Sequence, residues 1–198
     1  MAQVAVRAAT AERAEASPLR PRIMATYPIK AVCEVGAEGK PCFGGAETVK
    51  TCHGKVTFEQ VDADTCVISY EIYNLTPGLH GFHIHEKADF SNGCTSAGPH
   101  YNPFGKTHGG PDDEERHVGD LGNIEPGPNG IAKGSIKDRL VKLYGETSVI
   151  NRSVMVHADP DDLGRGDNSE PGDPKLGIAP TNGKASKVTG NAGARIGC

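Results

Sequence analysis

From Tyr27 onward, apolar and polar residues alternate with a period of two, the signature of half-buried strands. In Ile29–Val35 the odd positions are apolar and the even ones mostly polar. Lys55–Glu59 alternates in the same way. Cys66, Ile68, Tyr70 and Ile72 share one face of a run whose other face carries Val67, Ser69, Glu71 and Tyr73. Phe82 with Ile84, Ala132 with Ile136, and Ile150 with Val154 and Val156 continue the pattern. Turn signals separate these runs: Thr76-Pro77-Gly78, Pro126-Gly127-Pro128-Asn129-Gly130 and Tyr144-Gly145. No stretch has helical periodicity. Short strands joined by Gly/Pro turns predict an all-β domain, an antiparallel sandwich or barrel.

Two long polar segments interrupt the rhythm, 86–118 and 158–190, and unstructured excursions of that length in a compact domain tend to carry function. A third, 36–54, reads as an insertion after the first strand. Residues 1–26 hold four Arg, many Ala and no apolar run, which predicts an extension outside the fold, with 27–198 as the domain. The extension has no secretory pattern and only a weak transit-peptide character, so the expected compartment is cytoplasmic. Composition narrows the classes further. The chain of 198 residues has 21 basic and 25 acidic side chains, a net charge of −4, and so lacks the basic field of a nucleic-acid binder. No window is apolar enough to span a membrane.

Histidine carries the chemistry. On a strand, His83 and His85 project together while Phe82 and Ile84 enter the core. His157 closes Val154–His157 on the face opposite Val154 and Val156. An HxH pair alone is weak evidence for a metal, but three imidazoles on one outer sheet surface have no packing role. The first long segment adds His100, His108, His117 and Asp120, three imidazoles and a carboxylate, which is a complete donor set for zinc. The competing reading is a solvated loop that happens to be rich in histidine. Imidazole-rich sites suit zinc and copper.

Residues 81–123, GFHIHEKADFSNGCTSAGPHYNPFGKTHGGPDDEERHVGDLGN, with Val156-His157, Asp161-Asp162-Leu163-Gly164 and Gly190–Arg195, resemble the metal-binding region of the copper/zinc superoxide dismutase family. The resemblance covers roughly 27–198. It implies a Greek-key β-barrel or sandwich with two long functional loops. It also implies copper held by His83, His85, His100 and His157, zinc held by His100, His108, His117 and Asp120, and His100 bridging the two. Asp161 would link His83 to His108, and His80 would stand behind the copper site as a structural residue. Arg195 would dock superoxide, Thr189 would face it across the channel, and Cys94 and Cys198 would form a disulfide. Oxidoreductase activity follows, superoxide going to oxygen and hydrogen peroxide, with His100 handling a proton.

The chain departs from the family in three ways. The second loop is longer, through Pro171–Ser186, and so is 36–54, where Cys42 and Cys52 could form a further disulfide. The match ends at Cys198, where family members continue through a final strand, so the expected barrel lacks that strand and has an open edge. A copper chaperone is the implied loading partner, and a homodimer would have an incomplete face. The alternative is a non-enzymatic or zinc-only member of the fold.

Overall fold

The computed structural model describes residues 26–36, 52–169 and 184–198. Among these residues nine strands form, six where the alternation is strongest and three where it is not. The first sheet holds β1 (Ile29–Val35), β2 (His53–Gln60), β3 (Cys66–Tyr73) and β7 (Ala132–Asp138), in the order β1-β2-β3-β7. The second holds β4 (His80–His85), β6 (Asp120–Ile124), β8 (Ser153–His157) and β9 (Arg195–Gly197), in the order β6-β4-β8-β9. All ladders are antiparallel. The chain changes sheet after β3, after β6 and after β7, so that β7 returns beside β3 and β8 beside β4, a Greek-key arrangement.

The two sheets face each other across one core. Val56, Phe58, Ile68 and Ile72 enter it from the first sheet, and Phe82, Ile84, Val154 and Val156 from the second. With no Trp in the chain, Tyr70 and Phe82 supply an aromatic contact between the sheets, their ring centroids 5.6 Å apart. Gly134 on β7 makes room for it, because a Cβ there would lie 2.5 Å from the Tyr70 hydroxyl. Outside, the first sheet carries the cross-strand ion pairs Lys30–Glu59, Lys55–Glu34 and Lys133–Glu71, all solvent-exposed. Pairs of this kind mark the polar face and add about 0–1 kcal/mol each.

The structure is a sandwich and does not close into a barrel. Among the described residues β1 is laddered on one side only, to β2. Backbone hydrogen bonds across the far edge lie at one end, where Gly36 N donates to Cys198 O (2.7 Å) and Cys52 N to Ile196 O (3.1 Å); elsewhere β1 and β8 approach each other without a ladder. Two other expectations, about element bounds, need correction. The expected strand through Ile150 starts only at Ser153, and Ile150 itself is exposed in the preceding turn. The excursion 86–118 contains β5 (Ser91–Cys94) and a 3-10 turn, Thr95–Ala97, and the second contains one helical turn, α1 (Ser186–Thr189). These elements are too short for periodicity to reveal.

Strand β4 is buried on both faces. Phe82 and Ile84 face the core, while His83 and His85 face the long loops, which lie over the second sheet as a cover. A small second cluster fills that cover: Met155 on β8 packs against Cys94, Ala97 and Cys198. A disulfide joins Cys94 to Cys198, 104 residues apart, so the loop is tied to β9 at the point where the cover meets the sheet. Cys33, Cys52 and Cys66 are free thiols; Cys42, the suggested partner of Cys52, lies outside the described residues.

Closing a loop of this length contributes about 4–5 kcal/mol in the chain-entropy account. Reduction of the metal-free protein is therefore expected to lower its urea midpoint by an amount equivalent to several kcal/mol. Coincident unfolding curves with and without reductant would show that the bond only decorates the loop.

Candidate metal centre

The donors come from three elements brought side by side by the ladder. Strands β4 and β8 pair with Phe82 opposite Val156 and Ile84 opposite Val154. That register puts His83, His85 and His157 on the same outer face. His100 joins them through an isolated bridge between its backbone and that of His85. Rings of His83 and His100 lie 4.0 Å apart between centroids, those of His83 and His157 4.9 Å, and those of His85 and His157 5.7 Å. One ligand atom from each of the four falls within 4.8 Å of all the others.

In three of these four imidazoles one ring nitrogen is tied down and the other is left over. His83 Nε2 donates to Asp161 Oδ2 (2.9 Å), His85 Nδ1 to Gly98 O (2.7 Å) and His157 Nδ1 to Gly193 O (3.2 Å). The opposite nitrogens, His83 Nδ1, His85 Nε2 and His157 Nε2, are buried and have no hydrogen-bond partner. A neutral imidazole that donates through one nitrogen presents a lone pair at the other. Three lone pairs therefore face one place with no proton between them, the arrangement a cation satisfies. Burial depresses the basicity of all four rings, helped by neighbouring imidazoles, and takes His157 down to about 3. The rings are thus neutral, as ligands must be.

The second set surrounds one carboxylate oxygen. His100 Nδ1, His117 Nδ1 and His108 Nδ1 lie 2.9, 3.0 and 3.0 Å from Asp120 Oδ1. His108 Nδ1 forms no hydrogen bond there despite the distance, so it converges on the group without being satisfied by it. Asp120 Oδ2 is fixed separately by the backbone amides of His117 (2.8 Å) and Gly109 (3.1 Å). Burial alone would raise the Asp120 carboxyl, but the three imidazoles hold it well below the usual carboxylate range. His100 belongs to both sets.

Asp161 joins the two sets from outside. Its Oδ2 takes the His83 proton and its Oδ1 accepts from His108 Nε2 (2.8 Å) and from the Leu163 amide (2.8 Å). His83, His108 and Asp161 also form a close triplet of donor atoms. Their nearest atoms are already hydrogen-bonded to one another, so the triplet is a strap rather than a third cation site. Asn123 grips the backbone of Asp161 at two points, accepting from its amide (2.7 Å) and donating to its carbonyl (2.8 Å). Gly190 crosses this strap at φ 66°; a Cβ there would overlap Asp161 Oδ1 and approach His108 Nε2 to 2.5 Å. His80 stands behind β8, with Nδ1 donating to His157 O (2.8 Å) and Nε2 facing Thr76.

Arg195 is anchored to the same loop. Its Nη1 donates to Cys94 O (2.7 Å) and its Nη2 to Gly98 O (2.7 Å), the carbonyl that also receives the His85 proton. One carbonyl oxygen thus ties a fixed cation to an imidazole of the first set, and the Arg195 charge contributes to depressing His85 and His157. Thr189 ends α1 with its hydroxyl donated to Ala185 O (3.3 Å). No contact described here joins it to the imidazoles. Sequence reasoning did not find Asn123, Gly98 or the buried pair Arg116–Asp138. Gly98 acts through its backbone carbonyl, which leaves no mark in residue type, Asn123 uses its side-chain amide on the backbone of a distant residue, and Arg116 sits in a charged run that reads as solvated.

Comparison with known proteins agrees with this geometry. Residues 52–198 match the family model for copper/zinc superoxide dismutase. The chain is 52% identical over 147 residues to a Superoxide dismutase [Cu-Zn] of Saccharomyces cerevisiae, covering 73% of this chain and 86% of that one. It is 53% identical over 146 residues to an Extracellular superoxide dismutase [Cu-Zn] of Brugia pahangi, covering 74% and 67%. A solved structure described as a crystal structure analysis of the clock protein EA4 superposes with a TM-score of 0.70 at 36% identity, over 87% of this chain and 93% of that one. Relatives from such different settings leave the compartment open, and no described helix is long and apolar enough to cross a membrane. Two converging donor sets that share an imidazole, on a sandwich matched along most of its length, make this chain a member of the copper/zinc superoxide dismutase family, an oxidoreductase that uses both metals to remove superoxide.

Proposed function

We propose that His83, His85, His100 and His157 hold the copper of this dismutase and that His100, His108, His117 and Asp120 hold its zinc. The reading rests on one observation above all: the unbonded, buried ring nitrogens of His83, His85 and His157 converge while their partner nitrogens are committed elsewhere. Residues 27–198 act as one domain, since β1 is laddered to β2 along its length, and 1–26 stands before it. Copper, changing between its two oxidation states, supplies the electron acceptor and donor by which two superoxide anions and two protons become oxygen and hydrogen peroxide.

The chain's own residues supply the rest. His100 offers Nδ1 to the carboxylate set and Nε2 to the imidazole set, so with metals in both it would carry no ring proton. Free of the imidazole set, its Nε2 would be the atom that takes up a proton and holds it for peroxide. Asp161 fixes the tautomers of His83 and His108 by taking a proton from each, which keeps their other nitrogens free as ligands. Arg195, permanently charged, docks the anion beside the imidazole set, its orientation set by Cys94 O and Gly98 O. Thr189 forms the opposite wall. Attraction of a small anion by such a charge works even on an acidic protein, and superoxide is the established example of it. A copper chaperone and a homodimer belong to this reading as family features.

Metal analysis of the purified, reconstituted protein is expected to give about one copper and one zinc per chain, together with rapid superoxide removal. Zinc alone without activity would reject the copper assignment. Arg195→Ala is expected to slow superoxide removal by about tenfold or more and to weaken its dependence on ionic strength. Metal content should be unchanged; a fall in copper occupancy would instead make Arg195 a support for His85.

Both acid and base are expected to destabilise the metal-free protein, through different histidines. His157, held at about 3, titrates near 6.5 once unfolded, so its stabilising contribution is present above 6.5 and is lost as pH falls below that. His83, His85 and His100 act in the same direction. Burial lowers His108 too, but the Asp120 and Asp161 carboxylates beside it dominate and raise it to about 9. Its contribution is complete below 6.5 and is lost as pH rises through 9. Denaturant midpoints of the metal-free chain should therefore pass through a maximum near pH 6–7. A midpoint that climbs steadily from pH 5 to pH 9 would contradict these protonation states.

A further inference from the structure

Arg116 is one of the largest fully buried side chains among the described residues, 1% exposed, one position before His117. Its Nη2 donates to Asp138 Oδ2 at 2.7 Å. Its Nη1 donates to two carbonyls, His117 O (3.2 Å) and Asp120 O (3.1 Å). Those carbonyls belong to the first and last residues of the turn that supplies two members of the carboxylate set. Within the turn, His117 N donates to Asp120 Oδ2 (2.8 Å) and Asp120 N to His117 O (3.4 Å). One planar donor spanning both ends of a four-residue turn fixes the separation of its carbonyls, and with it the relation of the two residues.

The anchor is equally rigid. Asp138 is the last residue of β7, in the first sheet, and its Oδ1 accepts from the amides of Leu140 (2.7 Å) and Val141 (2.8 Å). Asp120 opens β6, in the second sheet. The guanidinium therefore ties the donor turn to the opposite layer of the sandwich. Stability is a poor reason for such a pair, because desolvating both charges offsets most of their attraction. Arg116 Nε is in addition buried without a partner, a cost an apolar side chain of similar volume would avoid. An ion pair that does little for stability and reaches both ends of a ligand turn suits geometric specification.

We infer that Arg116, held by Asp138, is a positioning residue that presets His117 and Asp120 for zinc. The inference rests on the assignment of His100, His108, His117 and Asp120 as the zinc set. Lysine in place of Arg116 keeps the charge but cannot reach both carbonyls and the carboxylate at once. Asparagine in place of Asp138 keeps the volume and the acceptor for Leu140 and Val141, yet presents no carboxylate to the guanidinium. The test measures zinc affinity of the metal-free wild type, Arg116→Lys and Asp138→Asn by competition with a chromophoric chelator. It also records the visible spectrum of cobalt(II) bound in place of zinc and thermal unfolding of the metal-free chains. Both variants are expected to lose about 10–100-fold in zinc affinity, with cobalt bands displaced from those of the wild type. Wild-type affinity and an unchanged cobalt spectrum in both variants, even with a lowered unfolding temperature, would reduce Arg116 to an ordinary buried ion pair. A wild-type chain that failed to bind zinc would instead overturn the zinc assignment itself.

Discussion

A buried nitrogen lone pair with nothing to bond is among the less comfortable things a folded chain can hold, at about 1–3 kcal/mol for each unsatisfied group. Here three of them, on His83, His85 and His157, face a common point. The surrounding backbone makes the arrangement obligatory. Gly98 O and Gly193 O bind the far nitrogens of His85 and His157, and Asp161 binds that of His83. The imidazoles cannot rotate to satisfy one another without breaking those bonds. The cover over the second sheet is therefore built around positive charge that the side chains themselves, kept neutral by burial, do not provide.

That cover is made of loops, and loops hold shape only where the chain is stitched. The stitches here are unusually economical. The Cys94–Cys198 bond pins the first loop to β9, and Arg195, three residues before Cys198, reaches back to Cys94 O and Gly98 O. Gly98 O then serves Arg195 and His85 together. Cation, disulfide and imidazole thus form one connected unit, in which the position of the charge is referred directly to that of a ligand. On the other side Asp161, gripped by Asn123 and crossed by Gly190, does the same for His83 and His108. A side chain at Gly190 would have to occupy the volume of the Asp161 carboxylate, which is why the strap can pass only as glycine.

The strands visible in the sequence are those whose two faces differ. β1, β2 and β3 carry polar side chains toward solvent, and their period of two survives in the structure. β6 and β9 leave no periodicity because both are short, and β6 also includes Gly122 at φ 76°. The donor set was legible because imidazoles are rare and their spacing is specific, and the family resemblance assigned each a role. What the residues could not disclose is which atoms hold the donors still. Carbonyl and amide partners have no residue identity, and Arg116 looked like one more charge in Asp112–Arg116, although it is sealed in the protein. The open edge was legible as well: the resemblance implied a barrel or sandwich lacking a strand, and β1 and β8 lie near each other without a ladder between them.

The two donor sets differ in charge, and that difference carries a functional consequence. The first consists of imidazoles alone and contributes no net charge, so it can surround a metal that gains and loses an electron without favouring one state through a fixed anion. The second includes the Asp120 carboxylate, held ionised by three imidazoles, and its four donors are those zinc takes. A permanent anion suits a cation whose charge never changes. His100 stands between them with one nitrogen on each side, and it is the one ligand whose loss from the first set leaves it still held, by the second. On the proposed assignment, the second set would keep His100 in place whenever it was free of the first, which is what a repeated proton transfer in a fixed scaffold requires.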